Sequence, residues 1–373
     1  MNMKQVFDRV KPFNQLPQLP PPEEIIDRDV LLQWGYASRN LAELNKNLHR
    51  LPDPLMLVNT ISLREAKSSS EIENIFTTDD EIYKAISDSI KEETATSATK
   101  EVLRNREALW AGYRSIHKTG RISLDTLIEV FQQVKDTPLK LRSPQTQIVI
   151  RRGYSEFRSG EIVYTPPRGV GIIEELLDNL FEYLESEDPF HTDPLIKMAI
   201  SHYQFEAIHP FSDGNGRTGR ILNLLYLVNQ GLLVLPVLYL SKYIIENKDD
   251  YYYRLGAVTQ RGDWKGWLIY MMNAVKFTST YTNSLIDDIV NQMEATLEYG
   301  KAKMKWYNKE VNETLFTQPY IKPGKLNQVL KRASRTTLTK YMTELTDLGI
   351  LSPKKDGKEV YYINNDLLRI LED

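Results

Sequence analysis

The sequence predicts a mainly α protein that carries one small β-hairpin and a C-terminal module of a different kind. Over 23–109, Leu and Ile recur at intervals of three or four with polar residues between them, the spacing of helices that bury one face. Helical texture returns over 171–298. The stretch 151–167 differs, because Glu161–Tyr164 favours β structure and the dipeptide Ser159-Gly160 before it favours a tight turn.

The C-terminal module is predicted to be a winged helix-turn-helix. Residues 324–363 follow the order helix, turn, helix and hairpin, and Ser334 is a suitable N-cap for the second helix. That helix is expected to expose Arg335, Thr336, Thr337 and Lys340, and the wing adds Lys354, Lys355 and Lys358. This layout is compatible with DNA, although winged helices also dock proteins, so both partners stay open.

Charge is distributed unevenly along the chain. From Lys301 onward there are 14 Lys and Arg against 9 Asp and Glu, whereas the whole chain has a net charge of -3. The tail is therefore basic and the rest is acidic, which suggests different modules. We expect three domains at 1–110, 111–298 and 299–373, and we expect 306–373 to be self-contained.

Composition excludes several classes of protein. The chain has 373 residues, of which 41% are hydrophobic, and it has no cysteine, so disulfide scaffolds, thiolate metal sites and cysteine nucleophiles are excluded. The five histidines show no paired spacing for zinc. Polar residues and a proline interrupt the apolar stretch 221–240, so it is predicted to be core and no membrane span is expected. A cytoplasmic protein is expected.

The most informative segment is 209–220, HPFSDGNGRTGR. Asp193-Pro194 predicts the start of a helix that runs to about Ala207, with Asp as the N-cap and Pro at the first position. A second helix is predicted to start near Asn215 and to end before Gly231. The residues between the two helices therefore form a loop that leads to a helix N-terminus.

This helix N-terminus has the properties of a polyphosphate site. Its unpaired amides attract an anion, and Gly214 and Gly216 let that anion approach the backbone closely. Arg217 and Arg220 are three residues apart, so both guanidinium groups lie on one helix face.

Two further side chains complete the chemistry that the segment predicts. Asp213 supplies a carboxylate for Mg²⁺, a cation that prefers one or two carboxylates plus substrate phosphates. His209 has an imidazole that can accept a proton from an attacking hydroxyl near neutral pH. A base, a carboxylate, a double-glycine turn and paired arginines within twelve residues indicate a phosphoryl or nucleotidyl transfer site.

This segment matches the signature HPFx(D/E)GNGRxxR of Fic-domain proteins at every fixed position, and the chain therefore resembles that family. The resemblance implies a helical bundle with a hairpin flap and the transfer of AMP from ATP to a Ser, Thr or Tyr hydroxyl of a protein. It implies that His209 is the general base, that Asp213 binds magnesium and that Phe211 anchors the loop. The ATP-binding residues implied are Gly214, Asn215, Gly216, Arg217, Thr218, Gly219 and Arg220.

The resemblance extends to weaker positions. One branch of the family, the Doc toxins, has Lys in place of the second glycine and works as a kinase, so Gly216 favours AMP transfer. Asn247 and Tyr252 resemble residues of the adenine pocket, with helix capping and aromatic packing as the alternative. The hairpin at 151–167 resembles the flap on which a target protein docks as an added strand.

The stretch 69–74 fits the inhibitory motif (S/T)xxxE(G/N) of regulated Fic proteins. Its members are Ser69, Glu73 and Asn74. A carboxylate of Glu73 paired with Arg220 would occupy the place of the γ-phosphate and leave the α-phosphate misplaced for attack. We therefore expect an autoinhibited enzyme.

Several alternatives stay open. The chain could be a nucleotide-sensing transcriptional regulator in which the winged helix gives the output, or a transferase of another phosphate-containing group. The same site could also remove AMP. A homodimer is expected, because regulated members of the family often form one, and DNA binding through 324–363 is a further prediction.

Overall fold

The computed structural model describes residues 7–51, 54–87, 93–152, 160–187, 189–330, 333–357 and 359–372. These residues form a mainly helical protein with two small antiparallel sheets, as predicted. The helices of the N-terminal part are α1 (Arg28–Asn47), α2 (Pro54–Ile72), α3 (Asp79–Ser87), α4 (Ser97–Thr119) and α5 (Leu124–Lys135). The central helices are α6 (Ile172–Glu185), α7 (Pro194–Ile208), α8 (Asn215–Asn229), α9 (Leu240–Glu246), α10 (Lys248–Arg261) and α11 (Trp264–Lys303).

Helices α7 and α8 form the centre of the bundle. Nearly every residue of both helices is buried, because α8 packs against α7, α5, α4 and α2. Asp193 caps α7 by accepting the Leu195 amide, with Pro194 at the first position, and Gly231 after α8 is left-handed at a φ of 68°. The predicted bounds of both helices are confirmed, and the apolar stretch that starts at Ile221 belongs to this core.

Within the described part of the chain, no helix is both long and apolar enough to span a membrane. Helix α11 is the longest described helix and packs along α1 for much of its length. The predicted domain boundaries at 110 and 298 fall inside α4 and α11. Continuous helices therefore connect the predicted domains on both sides.

The predicted hairpin is present. Strand β1 (Ile150–Arg152) pairs antiparallel with β2 (Glu161–Tyr164), and Arg151 faces Ile162 across the ladder. The connecting residues 153–159, which include the predicted turn residue Ser159, lie outside the described residues. Tyr164 ties this hairpin to the core, because its hydroxyl donates to the Ala207 carbonyl at 2.8 Å.

The C-terminal module contains the two predicted helices and the hairpin, whereas residues 331–332 of the predicted turn lie outside the described residues. Its elements are α12 (Lys309–Leu315), β3 (Tyr320–Ile321), α13 (Pro323–Val329), α14 (Arg335–Asp347), β4 (Ser352–Asp356), β5 (Glu359–Ile363) and α15 (Asn365–Glu372). The sheet has the order β3-β5-β4. Ser334 caps α14 by accepting the Thr337 amide, as predicted.

The expectation that 306–373 is self-contained is wrong. Most of its buried apolar residues belong to the same hydrophobic cluster as the bundle core, whereas Tyr320, Tyr361 and Ile363 form a second cluster with Tyr83 of α3, and α15 packs against α11. The Tyr320 hydroxyl donates to Asp80 of α3 at 2.7 Å, and the Ser87 hydroxyl of α3 donates to the Tyr320 carbonyl at 2.9 Å. Because polar and apolar contacts both cross to α3 and α11, the tail is docked on the bundle.

The docking of the tail on α3 engages one of the lysines of the wing. Lys354 donates to Asp80 at 2.7 Å, so this lysine is directed towards α3, whereas Lys355 is exposed and Lys358 lies outside the described residues. On α14, Arg335, Thr336 and Lys340 are exposed and Thr337 is half-buried. DNA binding by this module stays a prediction that now depends mainly on α14.

Candidate active site

The loop that carries His209 begins where α7 ends. His209 takes a left-handed conformation with a φ of 51°, and its amide donates to the Phe205 carbonyl at 3.0 Å. Its side chain is half-buried. Burial lowers the pKa of the His209 imidazole to about 4, and the Arg142 guanidinium acts in the same direction. The imidazole is therefore neutral at pH 7 and able to accept a proton.

Phe211 and Asn215 hold the loop closed. The Phe211 ring is fully buried and stacks on Phe131 at 3.9 Å between centroids. The Asn215 carboxamide accepts the Phe211 amide and donates to the Phe211 carbonyl, both at 2.9 Å. The anchoring role of Phe211 fits this packing, and the side chain of Asn215 locks the turn, so this residue can offer an anion only its backbone.

Asp213 lies at the rim of the site. Its carboxylate is 69% exposed and accepts from Lys135 Nζ at 2.5 Å, and from the Gly214 amide at 2.7 Å. Partial burial is the largest single effect and raises the pKa of Asp213, but Lys135, the Gly214 amide and Arg217 together outweigh it, so the pKa lies below its usual value. Asp213 is thus an ionised carboxylate open to solvent.

The described residues include no cluster of three His, Asp or Glu that could hold a metal by itself. Mg²⁺ does not require such a cluster, since it is commonly held by one or two carboxylates together with substrate phosphates and waters. Asp213, exposed and ionised beside a helix N-terminus, fits that kind of site. In this structure the Asp213 carboxylate forms an ion pair with Lys135.

The turn into α8 allows another group to come close to its backbone. Gly214 is left-handed with a φ of 77°, and the first-turn amides of a helix have no partner in a preceding turn. A Cβ on Gly216 would lie 2.2 Å from Glu73 Oε1 and 3.0 Å from Arg220 Nη1. A side chain at this position would therefore displace the Glu73 carboxylate.

Arg220 is 2% exposed. Its guanidinium group is held by residues at the C-terminal end of α2 and directly after it. Its Nε donates to the Ser69 hydroxyl at 2.9 Å, and its Nη2 donates to the Ser69 carbonyl at 2.7 Å and to Glu73 Oε1 at 3.0 Å. The ion pair between Glu73 and Arg220 that the sequence predicted is present, and Ser69 adds two bonds to the same guanidinium.

Glu73 directly follows the last residue of α2 and is 35% exposed. The next residue, Asn74, takes the left-handed conformation with a φ of 61° and ends the helix. Asparagine and glycine are the residues that adopt this conformation most readily. Backbone geometry thus explains why the motif has Gly or Asn after the glutamate. This residue turns the chain away and leaves Glu73 facing α8.

Arg217 has a partner that the sequence did not reveal. Its Nη1 donates to Glu101 Oε2 of α4 at 2.8 Å. The neighbouring predicted residues lie inside the helix: the Thr218 hydroxyl donates to the Gly214 carbonyl at 2.9 Å, and Gly219 lies against Phe205 and Glu206. Arg217 and Arg220 are therefore both paired with carboxylates from outside α8, one in α4 and one directly after α2.

The two predicted adenine-pocket residues differ in their surroundings. Asn247 joins α9 to α10, and its side-chain amide donates to the Tyr243 carbonyl at 2.9 Å. Tyr252 of α10 is 41% exposed, and its phenol interacts electrostatically with Glu73 and Arg220. Tyr252 therefore lies beside Glu73 and Arg220, whereas the side chain of Asn247 caps a helix end.

Four residues of the site were not found from the sequence: Lys135, Glu101, Arg142 and Glu206. The first three act on residues that lie 67 to 116 positions away, so no local spacing marks them. Glu206, one turn before His209, has a buried Oε1 without a hydrogen-bond partner, and burial raises its pKa to about 7. A carboxylate one turn from the base is the only local signal among the four.

Three family models match the chain in succession. The Fic/DOC family N-terminal model matches 31–114, the Fic/DOC family model matches 122–227, and the model of the C-terminal domain of SoFic-like protein adenylyltransferases matches 285–367. The chain belongs to the Fic/DOC family. It joins a Fic N-terminal region and a Fic domain to a SoFic-like C-terminal domain, so the resemblance that the signature implied is confirmed.

Curated relatives carry the same family name. Protein adenylyltransferase fic-1 of Caenorhabditis elegans is 28% identical over 199 residues, which are 52% of this chain and 34% of that protein. Protein adenylyltransferase Fic of Nematostella vectensis is 29% identical over 156 residues, 41% of this chain and 32% of that protein. The chain therefore spans about a third of the length of these relatives.

A solved structure shows the Fic fold over nearly the whole chain. A Fic family protein from Desulfovibrio desulfuricans matches with a TM-score of 0.55 at 21% identity, over 93% of this chain and 98% of that one. The match confirms the predicted fold class, including a C-terminal part that follows the Fic bundle.

Proposed function

We propose that this Fic protein is a protein adenylyltransferase that moves AMP from ATP to a Ser, Thr or Tyr hydroxyl of a target protein. The observation that supports this proposal is that four suitable side chains lie at or near the N-terminus of α8. They are a neutral His209, an ionised Asp213 and the buried Arg217 and Arg220. The curated relatives named as protein adenylyltransferases support the same reaction.

The chemistry requires one bond to form and one to break. The target hydroxyl oxygen attacks the α-phosphorus of ATP, and the bond from this phosphorus to the oxygen that bridges to the β-phosphate breaks. His209 accepts the hydroxyl proton, which its neutral imidazole permits at pH 7. Pyrophosphate leaves, and the target carries AMP on its hydroxyl.

Positioning and charge supply most of the rate enhancement in such transfers. Arg217, Arg220 and the first amides of α8 are the groups that bind the phosphates, since they combine two guanidinium forks with the positive end of a helix. Asp213 would hold Mg²⁺, which neutralises phosphate charge when bound. Lys135, which pairs with Asp213, would add a further positive charge at this rim of the site.

We propose that Glu73 restrains the enzyme. Its carboxylate occupies the Arg220 guanidinium at 3.0 Å and lies against Gly216 in the turn where phosphate oxygens would bind. An anion in this position repels the γ-phosphate of ATP and takes one of its donors. ATP would then bind with its α-phosphate out of line for attack by a hydroxyl near His209.

We propose further that the target docks on the hairpin at 151–167. Strands β1 and β2 leave backbone donors and acceptors at their outer edges, and an extended target segment would pair there as an added strand. Tyr164 connects the hairpin to Ala207, two residues before His209. This connection supports a target hydroxyl presented close to the base.

Intact-mass spectrometry tests the function. The Glu73→Gly protein is incubated with ATP and magnesium beside a Glu73→Gly, His209→Ala double variant. We expect a mass gain of one AMP unit by self-modification, only where His209 is present. A gain of one phosphate would replace the proposal by a kinase, and no gain in either protein, with or without candidate targets, would contradict adenylyl transfer.

A further inference from the structure

A single arginine donates hydrogen bonds to several backbone carbonyls in and around the loop that carries His209. The Arg142 guanidinium donates from Nε to the His209 carbonyl at 2.8 Å, and from Nη2 to the Ile208 carbonyl at 3.3 Å and to the Pro167 carbonyl. The Arg142 backbone amide donates to the Pro210 carbonyl at 3.0 Å. Three consecutive carbonyls of the loop and one at the end of the hairpin segment thus share one partner.

These bonds complete the C-terminus of α7. The last carbonyls of a helix have no partner in the helix itself. Here the Phe205 carbonyl accepts the His209 amide, the Ala207 carbonyl accepts the Tyr164 hydroxyl, and the Ile208 carbonyl accepts Arg142. The backbone that carries the base is therefore held by two residues outside α7, and one of them belongs to β2.

Arg142 is an unusual cation because it is buried without a carboxylate. Its side chain is 6% exposed, and no carboxylate of the described residues forms an ion pair with it. A buried charge is normally paired. The negative end of the α7 dipole and the three carbonyls take the place of the counterion.

We propose that Arg142 is a positioning residue that holds the hairpin and the backbone of His209 as one unit. A target hydroxyl presented by the hairpin would then meet the imidazole at a fixed place. The proposal rests on the adenylyl transfer proposed above, in which the hairpin carries the target. It assigns to Arg142 no contact with ATP.

The charge of Arg142 has a second effect on the base. Burial, the largest effect, and the charge of Arg142 lower the pKa of the His209 imidazole, whereas hydrogen bonding to the Glu206 backbone and the charges of Glu73 and Asp213 raise it. Replacing Arg142 by a neutral residue would remove one of the two lowering effects. A lysine would keep the charge but could not reach all the carbonyls with a planar fork.

The first experiment compares Arg142→Met, Arg142→Lys and the exposed control Lys140→Met in the Glu73→Gly protein, with incorporation of radiolabelled AMP into the protein itself as the readout. We expect Arg142→Met to lower kcat by at least about tenfold and to leave the KM for ATP within about twofold, because misplaced groups slow the chemical step. Arg142→Lys should recover part of kcat, and Lys140→Met should match the parent. A parental kcat in Arg142→Met would overturn the proposal.

The second experiment does not depend on activity. The five histidines allow selective labelling, and His209→Asn identifies the His209 signal in a titration followed by NMR. We expect the His209 titration midpoint to rise in Arg142→Met and to stay at the parental value in Arg142→Lys. An unchanged midpoint and unchanged His209 shifts in Arg142→Met would contradict the assignment of Arg142.

The two experiments separate two failures. A parent protein without AMP transfer would contradict the proposed function, while the NMR titration would still decide whether Arg142 holds His209. If Arg142→Met does not fold, as judged by thermal unfolding, Arg142→Lys decides. The proposal then requires kcat to fall at least about threefold at constant KM for ATP, since Lys lacks the planar fork, and a parental kcat overturns it.

Discussion

The loop that carries His209 and the helix face that carries the two arginines are held in different ways. In the loop, Arg142 and Asn215 bond to the backbone carbonyls and amide of residues 208, 209 and 211, and none of these bonds involves a carboxylate. On α8, Arg217 and Arg220 are held by the side chains of Glu101 and Glu73. A phosphate can displace a carboxylate from an arginine, whereas it cannot take the place of a backbone bond inside the loop.

This difference separates geometry from regulation. The loop is expected to keep one conformation whether or not ATP is bound, because its bonds are internal. The arginine face is expected to exchange partners, because the carboxylate of Glu73 and a phosphate compete for the same donors. Variants of the arginine face should therefore raise the reaction rate by releasing the restraint, whereas variants of the loop should lower stability or slow the chemical step by misplacing the base.

The largest effect is expected at Glu73. Glu73→Gln removes the negative charge beside Arg220 and should raise the rate of AMP incorporation by about tenfold or more, since the loss of one partly buried ion pair is worth at least about 1.4 kcal/mol. The rate is measured with radiolabelled ATP. Glu71→Gln is the matched control, because Glu71 lies two residues earlier and faces Lys67 instead. Equal rates for the two variants would remove the distinction between the regions.

Asn215→Ala is expected to act on stability. The variant leaves the buried amide and carbonyl of Phe211 without their partner, and this should lower the free energy of unfolding by about 1 to 3 kcal/mol. Urea unfolding measures the change. Thr343→Ala on the exposed part of α14 serves as the control for a polar residue outside the site. A stability equal to that of the control would show that the loop is held by other contacts.

Ser69→Ala should give a smaller release than Glu73→Gln. It removes the hydroxyl that accepts from Arg220 Nε but keeps the Ser69 carbonyl and the Glu73 carboxylate. The rate of AMP incorporation should rise by roughly two- to tenfold at most, the range of one hydrogen bond. A rise as large as that of Glu73→Gln would place the restraint in the hydroxyl and not in the carboxylate.

The smallest effect is expected from pH, because kcat/KM should hardly change over the physiological range. The pKa of His209 is lowered from 6.5 to about 4, so the neutral base persists as pH falls below 6.5 and is lost only near pH 4. In the Glu73→Gly protein, kcat/KM should be flat on its acid side down to about pH 5, because this profile reports the free enzyme. An acid limb centred near 6.5 would show that burial and Arg142 do not control the imidazole.

Local sequence predicted the parts of the site that lie close together in the chain. The caps at Asp193, Pro194 and Gly231 define where α7 and α8 begin and end, and the loop between them follows. The motif at 69–74 also predicted the partner of Arg220. Here a short pattern was informative because Asn74 must adopt a left-handed conformation, which few residues allow.

The role of Asn215 and the docking of the tail could not be obtained in this way. Asn215 was expected to bind an anion, but its carboxamide is used to bond the backbone of Phe211. The tail was expected to be self-contained, yet Lys354 and Tyr320 both contact Asp80 of α3. Composition and periodicity describe each element and carry no information about which surfaces of two elements meet.

The sequence by itself determined the helical class, the hairpin, the loop before α8 and the residues of the proposed phosphate site. These depend on caps, turns and periodicity, which act over a few residues. Only the tertiary structure decided that Lys135 pairs with Asp213, that Glu101 pairs with Arg217 and that Arg142 holds the carbonyls of the loop. Such pairs depend on how buried helices pack, because a charge finds its partner only after packing has brought distant parts of the chain together.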